Sequence, residues 1–300
     1  MSGDNAKDSI VLEHVKKSFG KHQVLKDING NLAEGTTIGI LGRNGEGKTT
    51  LFKIMLDILC ADEGKVNIVG HSPDGSAHIR TIAGYVPERP SFHSFMKVRD
   101  VFEFRARLFP QWDHSLMNET ARSIDLDLST RIKGASKGTL AKTAWICATA
   151  HRPKVLILDE PTSGLDPIVR DALLSQCVRE QSMEGKTIIV ASHHLEEWLN
   201  LLDEIWVLSG GVIVGRHRLE DLRENALRIT GKLKHQTLPA GLAIVEEFRN
   251  GDLVQWLTID PNTPEQIQSL SILDQMEAQP LPLESTLKLL LLREDINNVR

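Results

Sequence analysis

Cysteine is scarce, long apolar runs are missing and there is no excess of positive charge, and each shortage excludes something. The three cysteines, Cys60, Cys147 and Cys177, are odd in number, far apart and outside any metal-ligand spacing, so neither a disulfide framework nor a cysteine-bound metal is expected. A reducing cytoplasm suits them. Nowhere do eighteen apolar residues run together, and the start, Met1-Ser2-Gly3-Asp4-Asn5-Ala6-Lys7-Asp8, is polar, so the chain is not expected to cross a membrane itself. Lys and Arg number 35 against 40 Asp and Glu, a net charge of −5 with a pI near 6.1, and no nucleic-acid partner is expected. No internal repeat or low-complexity stretch is present, and 300 residues suit one large α/β domain with a smaller one.

What is present begins with Gly42-Arg43-Asn44-Gly45-Glu46-Gly47-Lys48-Thr49, which fills the phosphate-loop pattern G-x-x-x-x-G-K-[ST]. The mostly apolar run Thr36 to Leu41 before it is of strand type, and Thr50 to Met55 after it has helical spacing, the context the motif needs. Glycines there let backbone N–H groups curl around phosphate oxygens at the positive end of a helix. The expected nucleotide contacts are Gly42, Asn44, Gly45, Gly47, Lys48, Thr49 and Thr50. Lys48 is expected to neutralise the terminal phosphates of a nucleoside triphosphate, and Thr49 to offer its hydroxyl to Mg²⁺.

Alternation at Ile10, Leu12 and Val15, then Val24, Leu25, Ile28 and Leu32, predicts two antiparallel strands broken at Phe19-Gly20-Lys21. From Pro90 to about Arg152 the spacing turns helical, an inserted subdomain. Lys154 to Asp159 and Thr187 to Ala191 are apolar runs of strand length, as parallel strands covered on both faces require, with a helix from about Ile168 to Met183 between them. Strands alternating with helices argue for a doubly wound sheet. A closing hairpin turns at Ser209-Gly210-Gly211. Past residue 225 the character changes, with a hairpin signal at Asn250-Gly251, a helix start at Thr263-Pro264-Glu265-Gln266 and the consecutive leucines Leu289 to Leu292, and residues 226–300 are expected to form a small accessory α+β domain.

Asp159 and Glu160 close an apolar strand, where ligands bind in open α/β sheets, beside the phosphate loop if the two strands are neighbours. Asp159 is then suited to holding Mg²⁺ through water, and Glu160 to orienting or deprotonating an attacking water.

The run Val155-Leu156-Ile157-Leu158-Asp159-Glu160-Pro161-Thr162-Ser163-Gly164-Leu165-Asp166-Pro167 resembles the Walker B and D-loop segment of ABC-type ATPases, the motor subunits of ABC transporters, and other family motifs follow in order. The resemblance covers roughly residues 9 to 225 and implies a P-loop NTPase of ABC type in residues 1–225, with an antiparallel β subdomain and the helical insertion at about 90–152. It implies that Phe19 stacks on adenine and that Asp166 borders the nucleotide. It further implies that Tyr85-Val86-Pro87-Glu88 is the Q-loop, with Glu88 as a metal ligand in place of glutamine, and that His193 is the switch histidine. The signature segment aligns with Ala135-Ser136-Lys137-Gly138-Thr139, where Ser136 and Gly138 are kept for contact with a second subunit's ATP and Lys137 stands where glycine belongs. Lys137 either helps hold a γ-phosphate or obstructs close approach.

The resemblance implies pairing with a second copy of itself or a related cassette, and a separate multi-span membrane permease on whose cytoplasmic face the chain sits. Phe109 to Asp113 and Gly164 to Arg170 resemble single-cassette subunits of bacterial exporter-type systems. The alternatives are a soluble ABC-type ATPase without transport and a regulatory module that holds ATP but barely hydrolyses it.

Overall fold

The computed structural model describes residues 8–234, 242–260, 262–269 and 272–298, the side chains of Met183 and 292–298 excepted. The polar segment ahead of Asp8 and the side chain of Leu292 thus lie outside what is described. The described residues up to His194, together with Leu208–Ile213, form one compact unit, and Leu195–Val207 with the described residues from Val214 onward form a second.

In the first unit β1 (Asp8–Phe19) and β2 (His22–Ala33) pair antiparallel, Phe19 opposite His22 across the tight turn. Their alternating Ile10, Val15, Leu25 and Ile28 are fully buried, the pattern of a sheet with one covered face. β3 (Thr37–Leu41) leads through the phosphate loop into α1 (Lys48–Met55), and β4 (Glu63–Ile68) returns beside β1. After the short α2 (Ile79–Ile82) comes β5 (Ala83–Val86). α3 (Val98–Leu108), α4 (His114–Ser123) and α5 (Lys137–Thr149) occupy the stretch expected to be helical. β6 (Val155–Asp159), α6 (Pro167–Glu184) and β7 (Thr187–Ala191) follow. β8 (Glu204–Ser209) and β9 (Val212–Arg218) enter this unit through Leu208–Ile213.

The strand order is β4-β1-β2-β9-β8-β3-β7-β6-β5. β3, β7, β6 and β5 run parallel and level: Ile40 and Asp159 both lie opposite Ala191, and Val86 lies opposite Leu158. Every residue of β3, β6 and β7 is buried, because a parallel strand covered on both faces has no side for polar groups. The level register brings four carboxyl ends to one edge, so Gly42, Ser192, Glu160 and Pro87 all leave the sheet together. β7 stands between β3 and β6, so the direct adjacency considered for the phosphate-loop and Asp159 strands does not occur. α5 crosses β5 so closely that a Cβ on Gly84 would lie 2.1 Å from the Ala148 carbonyl oxygen.

The second unit contains α7 (Leu219–Asn225), β10 (Leu227–Leu233), β11 (Ile244–Asn250), β12 (Leu253–Thr258), α8 (Thr263–Ser269), β13 (Leu273–Pro280) and α9 (Leu283–Asn298). Its sheet is antiparallel in the order β11-β12-β10-β13, and Asn250 faces Leu253 across the turn at Gly251, whose φ of 64° is left-handed. Trp256, Ile229, Val254 and Ile267 form one buried cluster, and Ala226, Leu257, Leu281 and Leu289 form another. Within the leucine run Leu289 and Leu290 are buried and Leu291 is half-buried. No described helix is long and apolar enough to cross a membrane.

Candidate nucleotide site

Gly42 follows β3 directly, and a Cβ there would lie 2.6 Å from the Leu208 carbonyl oxygen, so a side chain would push the strand end off its neighbour. Gly47 has a left-handed φ of 105° and caps α1 without any side-chain hydrogen bond. The first-turn amides of α1 are therefore left for an outside acceptor, the arrangement that receives an anion at a helix N-terminus. Lys48 is buried, and its Nζ donates to the carbonyl oxygens of Gly42 at 2.6 Å and Arg43 at 3.0 Å. Burial lowers its pKa against the opposing pull of Glu160, Asp159 and Glu46. Asn44 and Gly45 are exposed on the loop, and Thr50 is half-buried on α1.

α1 reaches past β7 to β6: Thr49 Oγ1 donates to Asp159 Oδ2 at 2.7 Å, and the Tyr85 hydroxyl donates to the same oxygen at 3.3 Å. Burial raises the Asp159 pKa, and both hydrogen bonds oppose the rise. Glu160 then turns with a left-handed φ of 49°, a conformation costing a non-glycine residue about 1–3 kcal/mol. Its Oε2 accepts the His193 N–H at 3.0 Å. Its Oε1 lies 3.3 Å from His193 Nε2, within ion-pair range but without hydrogen-bond geometry, and so has no hydrogen-bond partner among the described residues. Burial pushes the Glu160 carboxyl up as well. A buried carboxylate oxygen with an unused lone pair is an acceptor for a water molecule.

The remaining expected residues fall elsewhere. Phe19 is 51% exposed, with Lys17 Nζ 5.8 Å from its ring centre. Glu88 is exposed and pairs with Arg89 at 3.6 Å; it acts on Asp159 by charge without touching it. Ser136 caps α5 by accepting the Thr139 N–H at 3.0 Å, and Asp166 caps α6 by accepting the Val169 N–H at 3.0 Å. Gly138 is buried where a Cβ would meet Val169 at 3.1 Å, so the starts of α5 and α6 lie together. Lys137 Nζ lies 3.2 Å from the Cβ position of Gly164. Ser136, Gly138 and Asp166 thus form a second cluster, with no hydrogen bond to Lys48, Thr49, Asp159 or Glu160 among the described residues.

Two contacts had no role in the sequence reading. Tyr85 was visible only as part of a loop motif, and Glu46 only as a variable loop position, yet Glu46 Oε2 accepts the Gly210 N–H at 2.6 Å. Tyr85 is the chain's single tyrosine, at the carboxyl end of β5, the one available signal.

The donors fit a triphosphate with Mg²⁺. A cradle that glycine alone permits faces a buried lysine, and a hydroxyl and a carboxylate, both hard oxygen donors, meet within hydrogen-bond distance. Among the described residues no three His, Cys, Asp or Glu side chains gather for a metal, which Mg²⁺ sharing phosphate oxygens does not require.

The family model described as ABC transporter matches residues 25–163. An uncharacterized ABC transporter ATP-binding protein of Methanocaldococcus jannaschii, MJ1023, is 34% identical over 252 residues, 80% of this chain and 90% of that protein. A solved structure described as that of an ATP binding subunit of an ABC transporter shares 25% identity at a TM-score of 0.65, covering 71% of this chain and 91% of its own. The dimeric structure of a post-hydrolysis state of the ATP-binding cassette MJ0796 bound to ADP and Pi is similar in fold, with a TM-score of 0.63 and 21% identity over 70% of this chain and 98% of that one.

Proposed function

This chain belongs to the ABC transporter family, as an ATP-binding subunit that hydrolyses ATP, and we propose that Lys48, Thr49, Asp159, Glu160 and His193 carry the hydrolysis in cis. The observation that supports this most directly is the orphaned, buried Oε1 of Glu160, next to Asp159 and ringed by the carboxyl ends of β3, β7 and β6.

Thr49 and Asp159 would hold Mg²⁺, with Glu88 able to approach from its exposed loop. When bound, that ion neutralises charge on the β- and γ-phosphates. Lys48 Nζ exchanges its two carbonyl acceptors for phosphate oxygens, an exchange helped by its incomplete solvation. Glu160 accepts a proton from water at Oε1 while the His193 N–H holds Oε2 in place, so the carboxylate cannot rotate away. Phe19 offers a half-exposed ring to the adenine.

Cassettes of this family dimerise and pair with membrane components. For this chain we propose that Ser136, Gly138 and Asp166, which lie apart from Lys48, serve the ATP of a second copy or a related cassette. Its partner is a multi-span permease, on whose inner face it sits in the cytoplasm. Outward movement of the cargo is proposed on the resemblance of Phe109 to Asp113 and Gly164 to Arg170 to exporter-type subunits. Turnover of the full chain after Glu160→Gln tests the core of this reading: a fall of about 100-fold or more with ATP binding retained is expected, and unchanged turnover would remove Glu160 from the role.

A further inference from the structure

Asp159 Oδ2 receives two donors that stand on different supports. Thr49 rides on α1, the helix whose N-terminus faces the phosphates, whereas Tyr85 belongs to β5 and is paired in register with Ile157 of β6, two residues before Asp159. Tyr85 is thus fixed to the sheet that carries the carboxylate and is independent of the phosphate loop. Its ring is half-buried and forms part of the wall of a 760 Å³ cleft that also includes Leu56, Ile58, Phe104 and Leu108. Among the described residues it is the one side chain that both lines this cleft and bonds Asp159.

A carboxylate rotates about its last torsion unless its oxygens are engaged. Two donors converging on Oδ2 set the carboxylate plane, while neither of them engages Oδ1. We propose that Tyr85 is a positioning residue for divalent-cation binding: its hydroxyl holds the plane of Asp159 through changes in the phosphate loop, so that the cation affinity of the nucleotide-loaded site depends on it. This rests on the assignment of Asp159 to the metal. Tyr85→Phe removes the hydroxyl and little else.

The test uses Mn²⁺ as the probe, its binding to the ATP-loaded full chain followed by electron paramagnetic resonance. Tyr85→Phe is expected to weaken Mn²⁺ binding about threefold to tenfold, the range for one ordinary hydrogen bond, since the Tyr85 contact is long at 3.3 Å. ATP binding in the presence of chelator, and thermal melting without metal, are expected to stay at wild-type values. With Tyr85 kept, tyrosine labelled with ¹³C at the ring ζ carbon gives a single signal, which is expected to move on Asp159→Asn and when Mg²⁺ is added in saturating amount to the ATP-loaded chain. If Asp159→Asn weakens Mn²⁺ binding but Tyr85→Phe does not, or if the lone tyrosine signal ignores Asp159→Asn, the role of Tyr85 is overturned while Asp159 stands. If Asp159→Asn itself leaves Mn²⁺ binding unchanged, both assignments fall.

Discussion

The Glu46 carboxylate accepts the Gly210 N–H at 2.6 Å, tying the phosphate loop to the turn between β8 and β9, 164 residues further along the chain. Gly211 in the same turn gives its carbonyl to the Lys26 N–H at 2.8 Å, so the turn links the loop to β2. A hydrogen bond to a charged acceptor contributes about 1.5–3 kcal/mol when well shielded, less where it is partly exposed as here. Glu46→Ala is expected to lower the melting temperature by a few degrees and to weaken ATP binding severalfold. Glu46→Gln keeps an acceptor oxygen and is expected to stay close to wild type in both. Equal effects of the two substitutions would show that charge beside Lys48, rather than the tether, is what matters.

His151 gives a pH dependence of stability. The ring is 1% exposed, packs on Phe109 with centres 4.4 Å apart, and has no hydrogen bond of good geometry at either nitrogen among the described residues. Burial, with help from the nearby Arg105 cation, lowers its pKa from 6.5 to about 4. The unfolded chain therefore takes up the proton first as pH falls. Stability is full above about 6.5, declines between there and about 4 by roughly 3 kcal/mol in total, and is flat with respect to this group below that. The difference between wild type and His151→Leu, from denaturant unfolding at pH 7, 5.5 and 4.5, isolates the contribution. A variant with the same pH slope as wild type would contradict it.

Lys186 and Glu180 form an ion pair with side chains 4% and 5% exposed. Removing one partner leaves the other charge buried alone, so Lys186→Met is expected to cost about 3–5 kcal/mol. Lys186→Met combined with Glu180→Leu is expected to recover most of that, because an apolar pair of similar volume has no desolvation penalty. Chemical denaturation of the three variants and wild type completes the cycle, and an additive double variant would mean the two charges are not coupled.

Gly84→Ala places a methyl group 2.1 Å from the Ala148 carbonyl oxygen and 2.8 Å from Leu156 Cδ2. The Ala148 backbone cannot yield as a side chain would and the buried Leu156 side chain closes the other contact, so a loss of about 3 kcal/mol or more is expected. Alanine at Gly45, whose added Cβ meets nothing within 4 Å, has only the left-handed φ of 87° against it and is expected to cost less. Soluble yield and melting temperature of the two variants give the comparison.

Much of this site is readable along the chain because it is built from contiguous runs. The phosphate loop, the acid pair after an apolar strand and the histidine after another are local patterns, and their strand-loop-helix settings follow from apolar periodicity over a few residues. The antiparallel pair at the start and the Asn250-Gly251 hairpin are legible for the same reason: pairing between near neighbours leaves its signal in the turn. β10, β13 and α7 carried no comparable mark, since their partners lie tens of residues away.

The order of side chains from residue 36 to 49, and the apolar stretch ending in Asp159 and Glu160, determined by themselves a glycine-rich loop between a strand and a helix and two carboxylates at a strand end. Backbone geometry at glycines and burial of consecutive apolar residues are consequences of local chemistry. Only the tertiary structure decided that β7 separates β3 from β6, that Thr49 and Tyr85 share one oxygen of Asp159, that Glu160 keeps one oxygen unpartnered, and that Glu46 is tied to Gly210. Those relationships are distances of a few ångströms between groups far apart in the chain. They are set by the register of the parallel strands and the close packing of helices against them, not by any short run of residues.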